Sequence, residues 1–302
     1  MFTRLLGLAV LMATPLALAA TPVDETRALA PAGQVSIDNV KGSIVVRAWD
    51  RPEVKITGSL GDGVEALLVE GDANDLRIEV RYPEGSGGWF GWGGGNEAGP
   101  SQLQVSVPVR ARVSVDAVSA EVDVGGVAGS RLSVDSVSGD VRVRGARPDQ
   151  ARFTTVSGDL DLELSSRDTR VDTVSGDILL KGALSGDVRL ESVSGNAAVA
   201  ADAVDDLSLS TVSGDGRLQA SLAALGSIRA DSVSGQLALT LPADTSARLQ
   251  LESFSGTLSS PVGTVITEEY GPGSRLDARL GAGSGSIRLE SFSGDIQVDF
   301  AK

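Results

Sequence analysis

Residues 131–164 read RLSVDSVSGDVRVRGARPDQARFTTVSGDLDLEL, and one phrase in them, Val137-Ser138-Gly139-Asp140, returns nineteen residues later as Val156-Ser157-Gly158-Asp159. An apolar residue stands four before each serine, Val134 and Phe153, and apolar residues stand three and five after it, Val141 and Val143, then Leu160 and Leu162. Alternation with a period of two marks strands with one buried face. The glycine between the two strands suits a corner, where the backbone turns sharply or takes a positive φ.

The same phrase recurs in full at Val174 to Asp177 and Val212 to Asp215, with variants at Val118 to Glu121, Val193 to Asn196, Val233 to Gln236, Phe254 to Thr257 and Phe292 to Asp295. Its serine marks the copies at Ser119, Ser138, Ser157, Ser175, Ser194, Ser213, Ser234, Ser255 and Ser293, in steps of 18 to 21 residues and a final double step. Ser274 falls where a degenerate copy would fill that gap. A unit this short cannot bury its apolar face alone, whereas stacking successive turns at roughly 4.8 Å builds continuous parallel sheets. The expected fold is therefore all-β, a single-stranded β-solenoid (β-helix) of about ten turns of ~19 residues, a rod on the order of 50 Å long. An antiparallel sandwich also has short, evenly spaced strands, but it has no reason to repeat one corner sequence. Ser or Thr two before the marker (Ser136, Thr155, Thr173, Ser192, Thr211, Ser232, Ser253, Ser291) is expected to form an internal hydroxyl ladder beside the corner.

Outside the repeats, residues 1–20 read as a signal peptide: Arg4 gives a positive start, Leu5 to Leu18 an apolar core, and Ala17-Leu18-Ala19 a small-residue cleavage site. The apolar run is shorter than the roughly 20 residues a spanning helix needs. Residues 21–33 are expected to be a short linker, 34–110 a less regular β cap, and 111–302 the solenoid. The cap opens with strand-and-corner writing at Val35 to Ile44, then carries alternating strands at Val64 to Glu70, Asp75 to Tyr82 and Leu103 to Val109. Within it, residues 84–100 read EGSGGWFGWGGGNEAGP, a glycine-rich loop bearing Trp89, Phe90 and Trp92. Large aromatics on a loop mark contact with a sugar ring, a membrane interface or a protein, and these three are the candidate binding residues. The bland alternative is that the rings fold back onto the solenoid flank. No lysine of a phosphate-binding loop accompanies the glycines.

Twenty-six basic residues against 40 acidic ones give a net charge of −14, which makes nucleic acid and anionic lipid poor partners. The chain has no His and no Cys, which excludes His-type triads and disfavours zinc, copper, haem and iron–sulfur sites. No cofactor is expected. Two acidic columns run through the repeats. The first, Asp116, Asp135, Asp172, Glu191, Asp231, Glu252 and Glu290, stands three before each marker, and Arg152, Arg170, Arg189, Arg229 and Arg288 stand five before, so ion-pair lacing of a wet sheet explains it. The second, Asp140, Asp159, Asp177, Asp215 and Asp295, follows the corner glycine, with Asn196 and Gln236 interrupting, and is expected to accept hydrogen bonds from turn amides. Of these, Asp140, Asp159 and Asp177 are the weak calcium candidates, but the glycine–aspartate nonapeptide of calcium-binding β-rolls is absent, so no metal site is expected.

The order of NVKGSIVV (39–46), LRIEV (76–80), LQVSVPV (103–109), SVSGDV (136–141) and TVSGDL (155–160) resembles a bacterial extracytoplasmic β-strand-repeat family of unknown function, commonly labelled "putative adhesin". The resemblance spans about Val35 to Phe300 and implies an envelope-located β-solenoid without known catalytic residues. The expected function is a non-catalytic binding or scaffold protein, periplasmic or at the cell surface, with a glycan, protein or other envelope component as partner and no membrane span after signal cleavage. One alternative is a carbohydrate-active β-helix enzyme using paired carboxylates, although every prominent acid belongs to a column and no pair is singled out. Another is a structural or regulatory envelope protein without a soluble ligand.

Overall fold

The alternation becomes strands throughout the computed structural model, which describes residues 21–83, 98–268 and 273–301. The first part of the chain forms β1 (Thr21–Ala28), β2 (Gln34–Trp49), β3 (Glu53–Leu60), β4 (Ala66–Gly71), β5 (Asp75–Arg81), β6 (Ser101–Pro108) and β7 (Arg112–Gly125). The regular coils follow as β8 (Arg131–Ser138), β9 (Val141–Ala146), β10 (Gln150–Ser157), β11 (Leu160–Leu164), β12 (Ser166–Ser175), β13 (Ile178–Lys181), β14 (Leu184–Ser194), β15 (Ala197–Ser213), β16 (Gly216–Ser234) and β17 (Leu237–Leu241). The chain closes with β18 (Ala247–Ser253), β19 (Leu258–Ser259), β20 (Ile266–Thr267), β21 (Ser274–Leu280), β22 (Gly285–Ser291) and β23 (Ile296–Phe300). No described residue is helical, and no helix is long and apolar enough to cross a membrane.

Each coil places one strand before the corner glycine in a first parallel sheet and one after it in a second. Phe153 of β10 lies between Val134 of β8 and Val171 of β12 in the first sheet, and Leu162 of β11 lies between Val143 and Leu180 in the second. All six side chains are buried, so the core is a set of aliphatic columns shared by the two sheets. The hydroxyls two before the marker, from Ser136 through Thr155, Thr173, Ser192, Thr211 and Ser232 to Ser291 and Ser253, are buried beside the corner, as the repeat predicts. Corner glycines Gly158, Gly176, Gly195, Gly214 and Gly235 take φ between +118° and +145°, and each packs its α-carbon against the carbonyl of the corner glycine one coil earlier.

Three features depart from the sequence reading. Residues 21–33 are not a linker: β1 runs antiparallel to β3, register-paired from Thr21↔Leu60 to Ala28↔Glu53, with Val23 and Leu29 buried. The region before residue 111 does not stand apart either, since β2 pairs with β7 from Gln34↔Arg112 to Arg47↔Gly125 and so carries both parallel sheets across that boundary. At the far end, Ser274 does not mark a parallel coil. It lies in β21, antiparallel to β18, because Arg275 follows it where a corner needs glycine, and Gly281 and Gly283, both at positive φ, reverse the chain after it. The last coil, β22 and β23, then turns back and inserts between β16/β17 and β18/β19, pairing in parallel with each. The stack thus ends, at both extremities, in antiparallel strands: β4 on β5 and β3 on β6 at one end, β21 on β18 at the other. Such strands occupy edges that a purely parallel stack would leave open.

Candidate interaction face

Alternation that buries Val134, Phe153, Val171 and Leu190 necessarily turns their neighbours outward, so the outer face of the first sheet carries three columns. The arginine column lies outermost, the acidic column next to it, and the first residue of each VSGD phrase lies beside the corner. The first two lace as expected. Arg170 Nε lies 2.9 Å from Asp172 and its Nη2 lies 3.0 Å from Glu191 one coil on, Arg152 reaches Asp172 at 3.3 Å, and Arg288 pairs with Glu290. These pairs are substantially solvated, and each contributes little to stability.

The lacing thins toward the N-terminal end, where serines replace the arginines in three coils: Ser36, Ser114 and Ser133 stand in register beside Asp38, Asp116 and Asp135, while Arg77 of β5 still pairs with Asp38 at 3.0 Å. Burial, followed by the like charges of Asp38 and Asp135, holds the Asp116 carboxyl above the usual range. A carboxyl raised on folding costs stability at every pH above its folded value, and the cost vanishes below its unfolded value near 3.9. Asp116→Asn is therefore expected to raise the thermal midpoint at pH 7 and to give no gain at about pH 3; a loss at pH 7 in calorimetry would contradict this electrostatic account.

The third column was not recognised in the sequence as a surface feature. Val40, Val118, Val137, Val156, Val174, Val193, Val212 and Val233 continue into Phe292 and then Phe254, and every one is exposed, from 40% at Val40 to 58% at Phe292. The two phenylalanines stack, ring centroids 4.9 Å apart and planes 8° from parallel. The marker serines sit against this ladder: Ser175 Oγ donates to the Val156 carbonyl at 3.2 Å and Ser138 Oγ to the Val118 carbonyl at 3.3 Å. Between ladder and acids runs a groove of about 970 Å³, bounded at its C-terminal end by Glu268, Ser274 and Arg275.

Around the corner, the second acidic column does what its position implies. Asp140 Oδ1 accepts the Asp159 amide at 3.1 Å, Asp159 the Asp177 amide at 2.9 Å, Asp177 the Asn196 amide at 2.8 Å, and Asn196 the Asp215 amide at 3.2 Å. The calcium candidates Asp140, Asp159 and Asp177 each commit an oxygen to the next coil in this way, and no group of three or more metal-ligating side chains occurs among the described residues. Because Asn196 takes the same part as the aspartates, Asp177→Asn should leave the unfolding midpoint nearly unchanged while Asp177→Ala costs about 1 kcal/mol. Equal losses in the two variants, measured by denaturant unfolding, would assign the column to charge instead.

A family model described as Toastrack DUF4097 matches residues 33–299. The chain belongs to the Toastrack family. No curated protein matches it. Among solved structures, a "putative adhesin" from Parabacteroides distasonis is similar with a TM-score of 0.51 and 12% identity, covering 93% of this chain and 98% of that one. A "putative adhesin" from Bacteroides fragilis (TM-score 0.40, 12% identity, 94% and 98% covered) and a "putative lipid binding protein" from Parabacteroides distasonis (0.34, 11%, 93% and 97%) are also similar. At these identities the likeness to the first structure concerns the fold alone.

In this Toastrack chain, Trp89, Phe90 and Trp92 lie outside the described residues. The ends of their segment are placed at the N-terminal end of the stack. Tyr82 donates its hydroxyl to Asn39 Oδ1 at 2.9 Å, next to Val40, which begins the ladder. On the returning side Ala98 is buried and the Gly99 amide donates to the Asp62 carbonyl at 2.7 Å.

Proposed function

We propose that the protein is an exported cell-envelope scaffold, a β-solenoid of about ten turns, that binds through side-chain columns and catalyses no reaction. The observation that carries this reading is the half-exposed valine–phenylalanine ladder, which runs the length of the outer face and has no part in the core. A catalytic centre requires a few groups that converge at one place and differ from their surroundings. Here each acid of the outer face repeats at the same position in neighbouring coils and is explained by lacing or by like-charge stacking. Residues 1–20 act in this reading as the export signal, which puts the mature chain in the periplasm or at the cell surface. The segment bearing Trp89, Phe90 and Trp92, tethered at the N-terminal end, supplies a second contact, toward an envelope glycan or protein.

Purified Thr21–Lys302 titrated with peptidoglycan fragments, polysaccharides and liposomes while tryptophan emission is followed tests the reading, with Trp89→Ala/Trp92→Ala alongside. Saturable binding to one class without cleavage of the ligand is expected, weakened in the double variant. Release of shortened saccharides would replace the scaffold with an enzyme.

A further inference from the structure

The ladder is retained in every coil, although nothing inside the fold requires it. Thr has much the same preference for strands as Val and would suit a wet position, yet no rung is Thr, while the acidic column beside it varies among Asp, Glu, Thr154 and Ser210 over the same coils. With about half of a side chain of roughly 150 Å² exposed at each rung, the ladder offers on the order of 700 Å², above the usual largest apolar patch of a monomer and close to the ~800 Å² each partner contributes to a standard interface.

Its spacing restricts what covers it. Rungs follow one another at the strand separation of roughly 4.8 Å, whereas an extended peptide returns a side chain to one face every ~6.8 Å and loses register within a few rungs. A stack of strands met side-on has the matching repeat over the whole length, and this chain carries one. We propose that the ladder is a self-complementary interface on which a second copy of the chain docks face to face, its coils running in the opposite direction. The proposal rests on the reading of this face as a binding surface and names its partner.

Charge selects the antiparallel arrangement. The N-terminal part of the face sets Asp38, Glu79, Asp116 and Asp135 against Arg77, whereas the C-terminal part sets Asp231, Glu290 and Glu252 against Arg229 and Arg288, so the acidic excess is larger at the N-terminal part. Parallel docking would set Asp116 and Asp135 against themselves. Antiparallel docking turns them toward the end where Arg229 and Arg288 offset most of the charge of Asp231, Glu290 and Glu252, and brings the two phenylalanine rungs over Val40 and Val118. It is an isologous, closed contact, which yields dimers and not fibres. The midpoint of the ladder falls between Val174 and Val193.

Sedimentation velocity of Thr21–Lys302 over a concentration series is expected to show a reversible dimer, and Val174→Asp/Val193→Asp to raise its dissociation constant about 100-fold or more, with an unchanged circular dichroism spectrum. A wild-type chain that stays monomeric at every concentration, or a dimer indifferent to the two aspartates, would overturn the proposal. Should the double variant fail to fold, oxidative cross-linking decides. A Val156→Cys chain mixed with a Val212→Cys chain should form the mixed disulfide and neither chain should pair with itself; a self-paired Val156→Cys product would sink the antiparallel arrangement. No envelope ligand enters these measurements, so a monomeric chain that still binds in the titration above would refute the dimer and leave the scaffold reading standing.

Discussion

Replacing Gly195 with alanine is expected to destabilise the protein by about 4 kcal/mol, enough to unfold it at moderate temperature. Two independent costs combine at this corner. Gly195 has φ of +130°, which side chains with a β-carbon rarely adopt, and an added β-carbon would stand 2.2 Å from the Gly176 carbonyl oxygen, a backbone atom held by the stack. Neither neighbour can give way, because Gly176 packs in the same manner on Gly158 and Gly214 on Gly195. Gly145→Ala supplies the control: φ there is +61° with nothing within 4 Å of the added carbon, so only the left-handed penalty of about 1–2 kcal/mol applies. Thermal or urea unfolding of the two variants separates backbone strain from the clash between coils, and equal losses would mean that the corners do not stack as described.

Phe153→Ala is expected to cost about 3–5 kcal/mol. Phe153 is the largest of the fully buried side chains and fills one rung of a column otherwise made of valine, leucine, isoleucine and alanine. Coils above and below are locked by continuous parallel pairing, so the column cannot collapse into the space left. Phe153→Leu should recover most of that loss, since Leu190 and Leu209 occupy the same position in nearby coils. If both substitutions cost the same, the ring's own contacts and not the filled volume hold that coil.

Both residues were prominent in the sequence, because the corner glycine and the apolar residue four before the marker recur in register. The hydroxyl ladder, the arginine–carboxylate lacing and the aspartate-to-amide chain were legible for the same reason: each depends only on position within one coil. What could not be read is which coil neighbours which. Nearly identical coils offer nearly identical edges, so nothing local distinguishes a β18 edge that receives β16 from one that receives β22, and the insertion of the last coil is decided by how the ends close. The strand at Thr21–Ala28 was missed because TPVDETRA buries little more than Val23, too weak an alternation to announce a strand. The exposed ladder was visible as the first letter of every VSGD phrase, and its meaning lay in its phase: Val137 shares the outward side of its strand with Asp135, not the inward side with Val134 and Ser136.

Thiol accessibility of a single engineered cysteine on the ladder tests most directly the claim that this face is a contact surface. The natural chain has no cysteine, so Val193→Cys reports alone, and Gln219→Cys on the exposed face of the second sheet serves as reference. Maleimide labelling is compared between intact cell envelopes and the purified chain at high dilution. The account predicts that Val193→Cys is shielded in the envelope and reactive once purified and diluted, while Gln219→Cys reacts alike in both. A ladder cysteine equally reactive in the two states would mean that nothing covers this face in the cell.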